Sequence, residues 1–111
     1  MSINFEQFLA VEIRSGKIIS ASDNIKAKKP AYILEINFGE EIGTKISSAQ
    51  LTKNYRKSDL IGKNILAVMN FSPRNIAGIS SEVLILATVD DINGALLIEA
   101  DDRVTLGALV S

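Results

Sequence analysis

The sequence predicts an all-β domain built around a small antiparallel barrel. Three observations carry that expectation. Ala31 to Phe38 alternates cleanly, with Tyr32, Leu34, Ile36 and Phe38 on one face and Ile33, Glu35 and Asn37 on the other. Two Val- and Ile-rich runs, Ile65 to Phe71 and Val83 to Val89, flank a stretch of Ser, Asn, Pro and Gly, and runs of that length read as buried strands. Asn93-Gly94, between Val89 and Ala95, is a strong hairpin signal.

The elements follow in order. Asn4 is placed to cap a short helix, with Gln7 at the reciprocal position and Phe5, Phe8 and Leu9 on one face. Val11 and Ile13 then alternate with Glu12 and Arg14, which starts a strand. Gly16 interrupts it and predicts a bulge or bend there. Asp23 to Pro30 is a loop carrying Lys26, Lys28 and Lys29, either simply solvated or an electrostatic footprint. The second strand, Ala31 to Phe38, turns through Gly39 to Gly43 into a third, Thr44 to Ser48. Ala49 to Lys57 reads as a short helix with Lys53, Arg56 and Lys57 clustered. Gly62 precedes the fourth strand. The fifth is Val83 to Val89, and Leu96 to Ile98 with Val104 to Val110 add a C-terminal β extension. A helix between strands three and four of a five-stranded Greek-key barrel is the OB arrangement.

With 111 residues there is room for one domain spanning 1 to 111 and no second. A hydrophobic content of 47% and a mean hydropathy of +0.22 leave few polar residues to cover the surface. Some apolar area is therefore expected to meet a partner, most simply a second copy. No apolar run approaches the roughly 20 residues of a membrane helix, so membrane insertion is not expected. The N-terminal stretch does not read as a signal peptide, and with no cysteine the expected location is the cytoplasm.

The absence of His and Cys removes imidazole acid-base chemistry, thiol nucleophiles and the usual zinc sites. Glu40/Glu41, Asp90/Asp91 and Asp101/Asp102 lie beside turn signals, where solvated turns account for them better than a cation does. No catalytic residue, metal or cofactor is expected, and the chain does not read as an enzyme. Charge is uneven: residues 1 to 74 hold eleven basic and seven acidic side chains, whereas 75 to 111 hold Arg103 against six acids. A basic face survives the net charge of −1.

Ile13-Arg14-Ser15-Gly16-Lys17-Ile18 and Asn70-Phe71-Ser72-Pro73-Arg74-Asn75-Ile76-Ala77-Gly78-Ile79-Ser80-Ser81-Glu82 resemble the tRNA-binding-domain family. The likeness runs from about Phe5 to Val110. Phe38-Gly39, Glu41-Ile42-Gly43, Ser47 to Lys53 and Tyr55 make the chain most similar to the CsaA-type export chaperones of that family. Where the tRNA binders usually continue Ser-Glu with Gly-Met, this chain has Val83-Leu84. The resemblance implies an OB-fold homodimer joined through its N- and C-terminal elements. It also implies binding of unfolded or export-bound polypeptides through apolar pockets, without nucleotide hydrolysis. The alternative it implies is a free-standing dimeric tRNA-binding protein.

Two sets of residues follow. For polypeptide, Phe38 and Phe71 would receive apolar side chains, while Arg74, Asn70, Ser48 and Gln50 would fix the backbone or carboxylates. For RNA, Lys26, Lys28, Lys29, Lys53, Arg56, Arg74 and Ser81 would form the face. Core packing remains an equal reading of the two phenylalanines, and loop-shaping hydrogen bonds remain one for Asn70 and Ser81.

Overall fold

The computed structural model describes residues 1 to 111. A five-residue helix, α1 (Phe5–Leu9), leads into a long strand β1 (Ile13–Asp23), followed by β2 (Tyr32–Asn37) and β3 (Thr44–Ala49). A single turn of helix, α2 (Lys57–Leu60), precedes β4 (Asn64–Val68). The remaining strands are short: β5 (Arg74–Ile76), β6 (Ile79–Ser81), β7 (Leu84–Ile85), β8 (Ala87–Asp90) and β9 (Gly94–Leu97). The main sheet has the antiparallel order β3-β2-β1-β4-β7. β1 is long enough to pair along its first half with β4 and along its second half with β2. That shared strand curls the sheet into a nearly closed OB-type barrel, with α2 between the third and fourth strands as the sequence predicts.

Alternation places Tyr32, Leu34, Ile36 and Phe38 inside, where they meet Ile18, Leu51, Leu60, Ile65 and Ile85. Gly16 does not make the bulge expected of it. It pairs in register with Ile65, and the register shift falls later, between Ile18 and Ser20. Gly16 is small because the Phe38 ring lies over it: a Cβ there would sit 2.6 Å from the ring. Phe38 is accordingly almost fully buried.

The helix expected over Ala49 to Lys57 is displaced to Lys57–Leu60. Tertiary bonds hold the intervening residues out of a helix. The Asn54 amide group donates to the carbonyls of Asn93 and Ala95, and the Tyr55 hydroxyl accepts from the Leu97 amide. The Arg56 amide then donates to the Asp59 carboxylate at 2.8 Å and fixes the start of α2.

The run Val83 to Val89 is not one strand. It divides at Leu86, whose amide donates to Leu66 and whose carbonyl accepts from Ile98. One part belongs to the barrel as β7 and the other to the β8–β9 hairpin. That hairpin closes through a three-residue loop, with Asp90 opposite Gly94 and the Asp90 carboxylate accepting from the amides of Ile92 and Asn93. The Asn93 amide foremost holds the Asp90 carboxyl below its ordinary range. Val104 to Val110 forms no strand. It runs back along β1, and Ser15 alone makes four bonds to residues 105 to 108 through its amide, carbonyl and hydroxyl.

α1 forms where expected, and its capping box pairs Asn4 and Gln7 reciprocally at 2.8 Å. None of its residues is buried. Phe5, Leu9, Val11 and Leu109 remain exposed, and the Phe5 and Phe8 rings form a tilted pair with centroids 6.3 Å apart.

Candidate functional site

β3 is the open edge of the main sheet, and the site is built against it. The chain after β6 returns to this edge, where the Glu82 amide donates to the Ile46 carbonyl at 2.8 Å. The Glu82 carboxylate accepts the Ile46 amide, and the Ser81 hydroxyl accepts the Ser48 amide, both at 3.0 Å. Side chains thus stand in for part of a ladder, and they leave a furrow instead of a continuous sheet.

β5 and β6 form the wall opposite. They pair antiparallel, with Ile76 facing Ile79 across a two-residue connection in which Ala77 (φ 50°) and Gly78 (φ 84°) both have positive φ. That is the signature of a type I′ hairpin turn. Pro73 precedes the ribbon, and the Asn24 side chain donates to the Ile76 carbonyl, so the lysine loop leans on it. Four depressions adjoin along this furrow. The first, about 250 Å³, is lined by Ser48, Phe71, Ser72, Arg74, Ile76, Ser81, Glu82, Val83 and Leu84. The second, about 510 Å³, shares Ser48 and Ile76 and is rimmed by Lys26, Lys28, Lys29 and Gln50. The other two extend from Ser48 and Gln50 toward Val89, Ala95 and Lys53.

The expected residues distribute as follows. Phe71 is 55% exposed and lines the first depression beside Arg74. Ser48 lies where three of the depressions meet, and Gln50 is shared by three. Phe38 does not join them, since its ring is committed to the core. Asn70 does not line the furrow either: its side chain accepts from the Glu12 amide and donates to the Ala10 carbonyl at 2.7 Å. It ties the Phe71 loop to the segment after α1. Ser81 lines the wall, but its hydroxyl is occupied by closure.

Among the basic residues, Arg14, Lys45, Arg56, Lys57, Lys63 and Arg103 each have a carboxylate partner. Of the six that have none, Lys26, Lys28, Lys29, Lys53 and Arg74 line the furrow, and Lys17 does not. Lys53 donates to the Ile92 carbonyl. Arg56 pairs with Asp59 and lines no depression. Ile76, Val83 and Leu84, which the sequence reading left out, supply apolar wall. The signal for Leu84 was present in its place between Val83 and Ile85: those two are buried and Leu84 is exposed.

The family described as putative tRNA binding domain matches residues 13–109. The chain belongs to that family. This member of the tRNA-binding-domain family is 37% identical over 108 residues to the methionine–tRNA ligase of Pyrococcus horikoshii, a match covering 97% of this chain but only 14% of that protein. Among solved structures, it resembles the chaperone CsaA of Bacillus anthracis str. Ames with a TM-score of 0.92 and 42% identity, covering both chains completely. It resembles the CsaA chaperone protein of Picrophilus torridus with a TM-score of 0.93 and 44% identity, over 99% of this chain and 100% of that one. The expected family and the OB-type barrel are thereby established, and the ligand of the furrow is the question left to its chemistry.

Proposed function

We propose that this domain is a nucleotide-independent chaperone that holds unfolded or export-bound polypeptides in the furrow along β3. The observation that carries the reading is Phe71, an aromatic ring left more than half exposed on an apolar wall with Ile76, Val83 and Leu84. An exposed ring in a groove is an anchor awaiting an apolar side chain. Arg74 beside it has no carboxylate partner and can take a ligand carboxylate or carbonyl in a planar, multidentate geometry. The likeness to two CsaA chaperones supports the same reading.

The working unit on this reading is a cytoplasmic homodimer without catalytic activity. Phe5, Leu9, Val11 and Leu109 offer an apolar surface near the chain ends, of the kind a two-fold interface covers. The test is suppression of aggregation of a heat-denatured client at micromolar concentration without nucleotide. Tight tRNA binding with no effect on client aggregation would defeat the proposal.

One observation favours a second reading, in which the furrow binds tRNA. Five basic residues without carboxylate partners gather there in a chain of net charge −1, as a phosphate-binding surface requires. The similarity to methionine–tRNA ligases points the same way.

A further inference from the structure

We infer that the polypeptide in the furrow is held as an added strand, its backbone pairing with β3 at Gln50. The inference rests on the polypeptide reading above and specifies what part of the ligand is recognised. β3 is an edge strand. Its amides alternate between β2 and the outer edge, and those of Ile46 and Ser48 face outward, since Glu82 and Ser81 take them. Gln50 has the same parity. The trans peptide before it turns the Ala49 carbonyl toward its partner Tyr32 and so turns the Gln50 amide away from β2.

That amide donates to nothing in the chain, and Gln50 is exposed. Three of the four depressions include Gln50, so the open end of the edge lies in the furrow itself. Closure by Ser81 and Glu82 therefore stops short, and the next donor along the edge is left for a ligand. An extended chain pairing there would direct alternate side chains to opposite sides, as in strand addition to an open edge. One set would reach the apolar wall at Phe71 and Leu84. The ammonium groups of Lys28, Lys29 and Lys53, none of which has a carboxylate partner, suit acidic residues flanking the apolar segment. Recognition through main-chain groups accepts many sequences, which a holder of unfolded chains needs. It also distinguishes the ligand class, because RNA has no alternating amide edge.

The test uses the full chain and a decapeptide of alternating leucine and serine with glutamate at both ends. The Gln50 amide, unbonded and exposed, exchanges quickly in the free protein. Saturating peptide is expected to slow its exchange about tenfold or more. The Leu51 amide bonds the Ala49 carbonyl at 3.1 Å across Gln50, whose φ is not positive. That inverse γ-turn, with central φ of about −75°, suits proline. Gln50→Pro removes the donor and is expected to weaken peptide binding about tenfold, and clearly more than Gln50→Ala, which removes only the side chain and keeps the donor; equal losses would overturn the inference. If Gln50→Pro fails to fold, amide exchange in the wild-type protein decides alone. Peptide binding with unchanged Gln50 exchange would overturn strand addition and leave the polypeptide reading standing. No peptide binding by the wild-type protein would overturn that reading and this inference together.

Discussion

Glu82 closes the barrel on Ile46 twice, giving its amide to the Ile46 carbonyl and receiving the Ile46 amide on its carboxylate. One residue thereby supplies both halves of what a paired strand would provide. Glu82→Ala leaves the Ile46 donor without a partner and is expected to cost about 1–3 kcal/mol. Glu82→Gln retains an acceptor oxygen and should cost less. Urea unfolding checks both, and an unchanged m-value would show that the loss is one of stability alone.

The Ala77-Gly78 turn holds an alanine at positive φ, which costs about 1–2 kcal/mol in an L-residue. Asparagine adopts that conformation more readily. Ala77→Asn is therefore expected to stabilise the domain by roughly 0.5–1 kcal/mol, read as a higher urea midpoint.

Gly16 and Phe38 form a packed pair. Gly16→Ala is expected to destabilise by about 1–3 kcal/mol through overpacking. Combining it with Phe38→Leu should recover part of that loss, and non-additive thermal stabilities of the double mutant would verify the contact. Ligand affinity of the folded variants should not change, because the Phe38 ring lies in the core.

Phe71→Ala is expected to weaken peptide binding by about 2–4 kcal/mol. Because the ring is exposed, the stability cost should fall well below the ~3–5 kcal/mol typical of a buried phenylalanine. Calorimetric titration alongside thermal unfolding separates the two. If RNA binds, Lys28→Glu should weaken it and reduce its salt slope by about one or two. Arg56→Glu should do little, since Arg56 lies off the furrow.

The Asp90 carboxyl is held below its ordinary range by the Asn93 amide, its strongest partner. Its folded pKa is depressed, so its contribution is present above the unfolded pKa and lost as pH falls through the folded one. The stability difference between wild type and Asp90→Ala should thus be constant near neutral pH and shrink below about pH 4, as acid titration of the two proteins would show.

The barrel was legible because its core strands obey one rule: Tyr32, Leu34, Ile36 and Phe38 alternate over a half-buried sheet. Where one segment serves two neighbours the rule fails. Val83 to Val89 looks like one strand, yet Leu86 bonds both Leu66 and Ile98 and divides it. Helix-like spacing over residues 49 to 57 lost to bonds from Asn54 and Tyr55 to a hairpin some forty residues away. Within the site, Phe71, Arg74 and the lysine loop could be read from residue type and turn chemistry. The commitment of Asn70 to Ala10 and Glu12, and of Ser81 to Ser48, depends on distant partners that local sequence does not reveal.

Ser15 carries a consequence for vectorial synthesis. Its four bonds run to residues 105 to 108, about ninety positions later in the chain. As the protein leaves the ribosome, β1 can pair with β2 and then β4 while Ser15 still lacks these partners. A buried hydroxyl and two backbone groups must stay wet until the last segment arrives. The seam at Ser15 therefore sets last, and a chain stalled before residue 105 presents an unfinished barrel with that flank exposed.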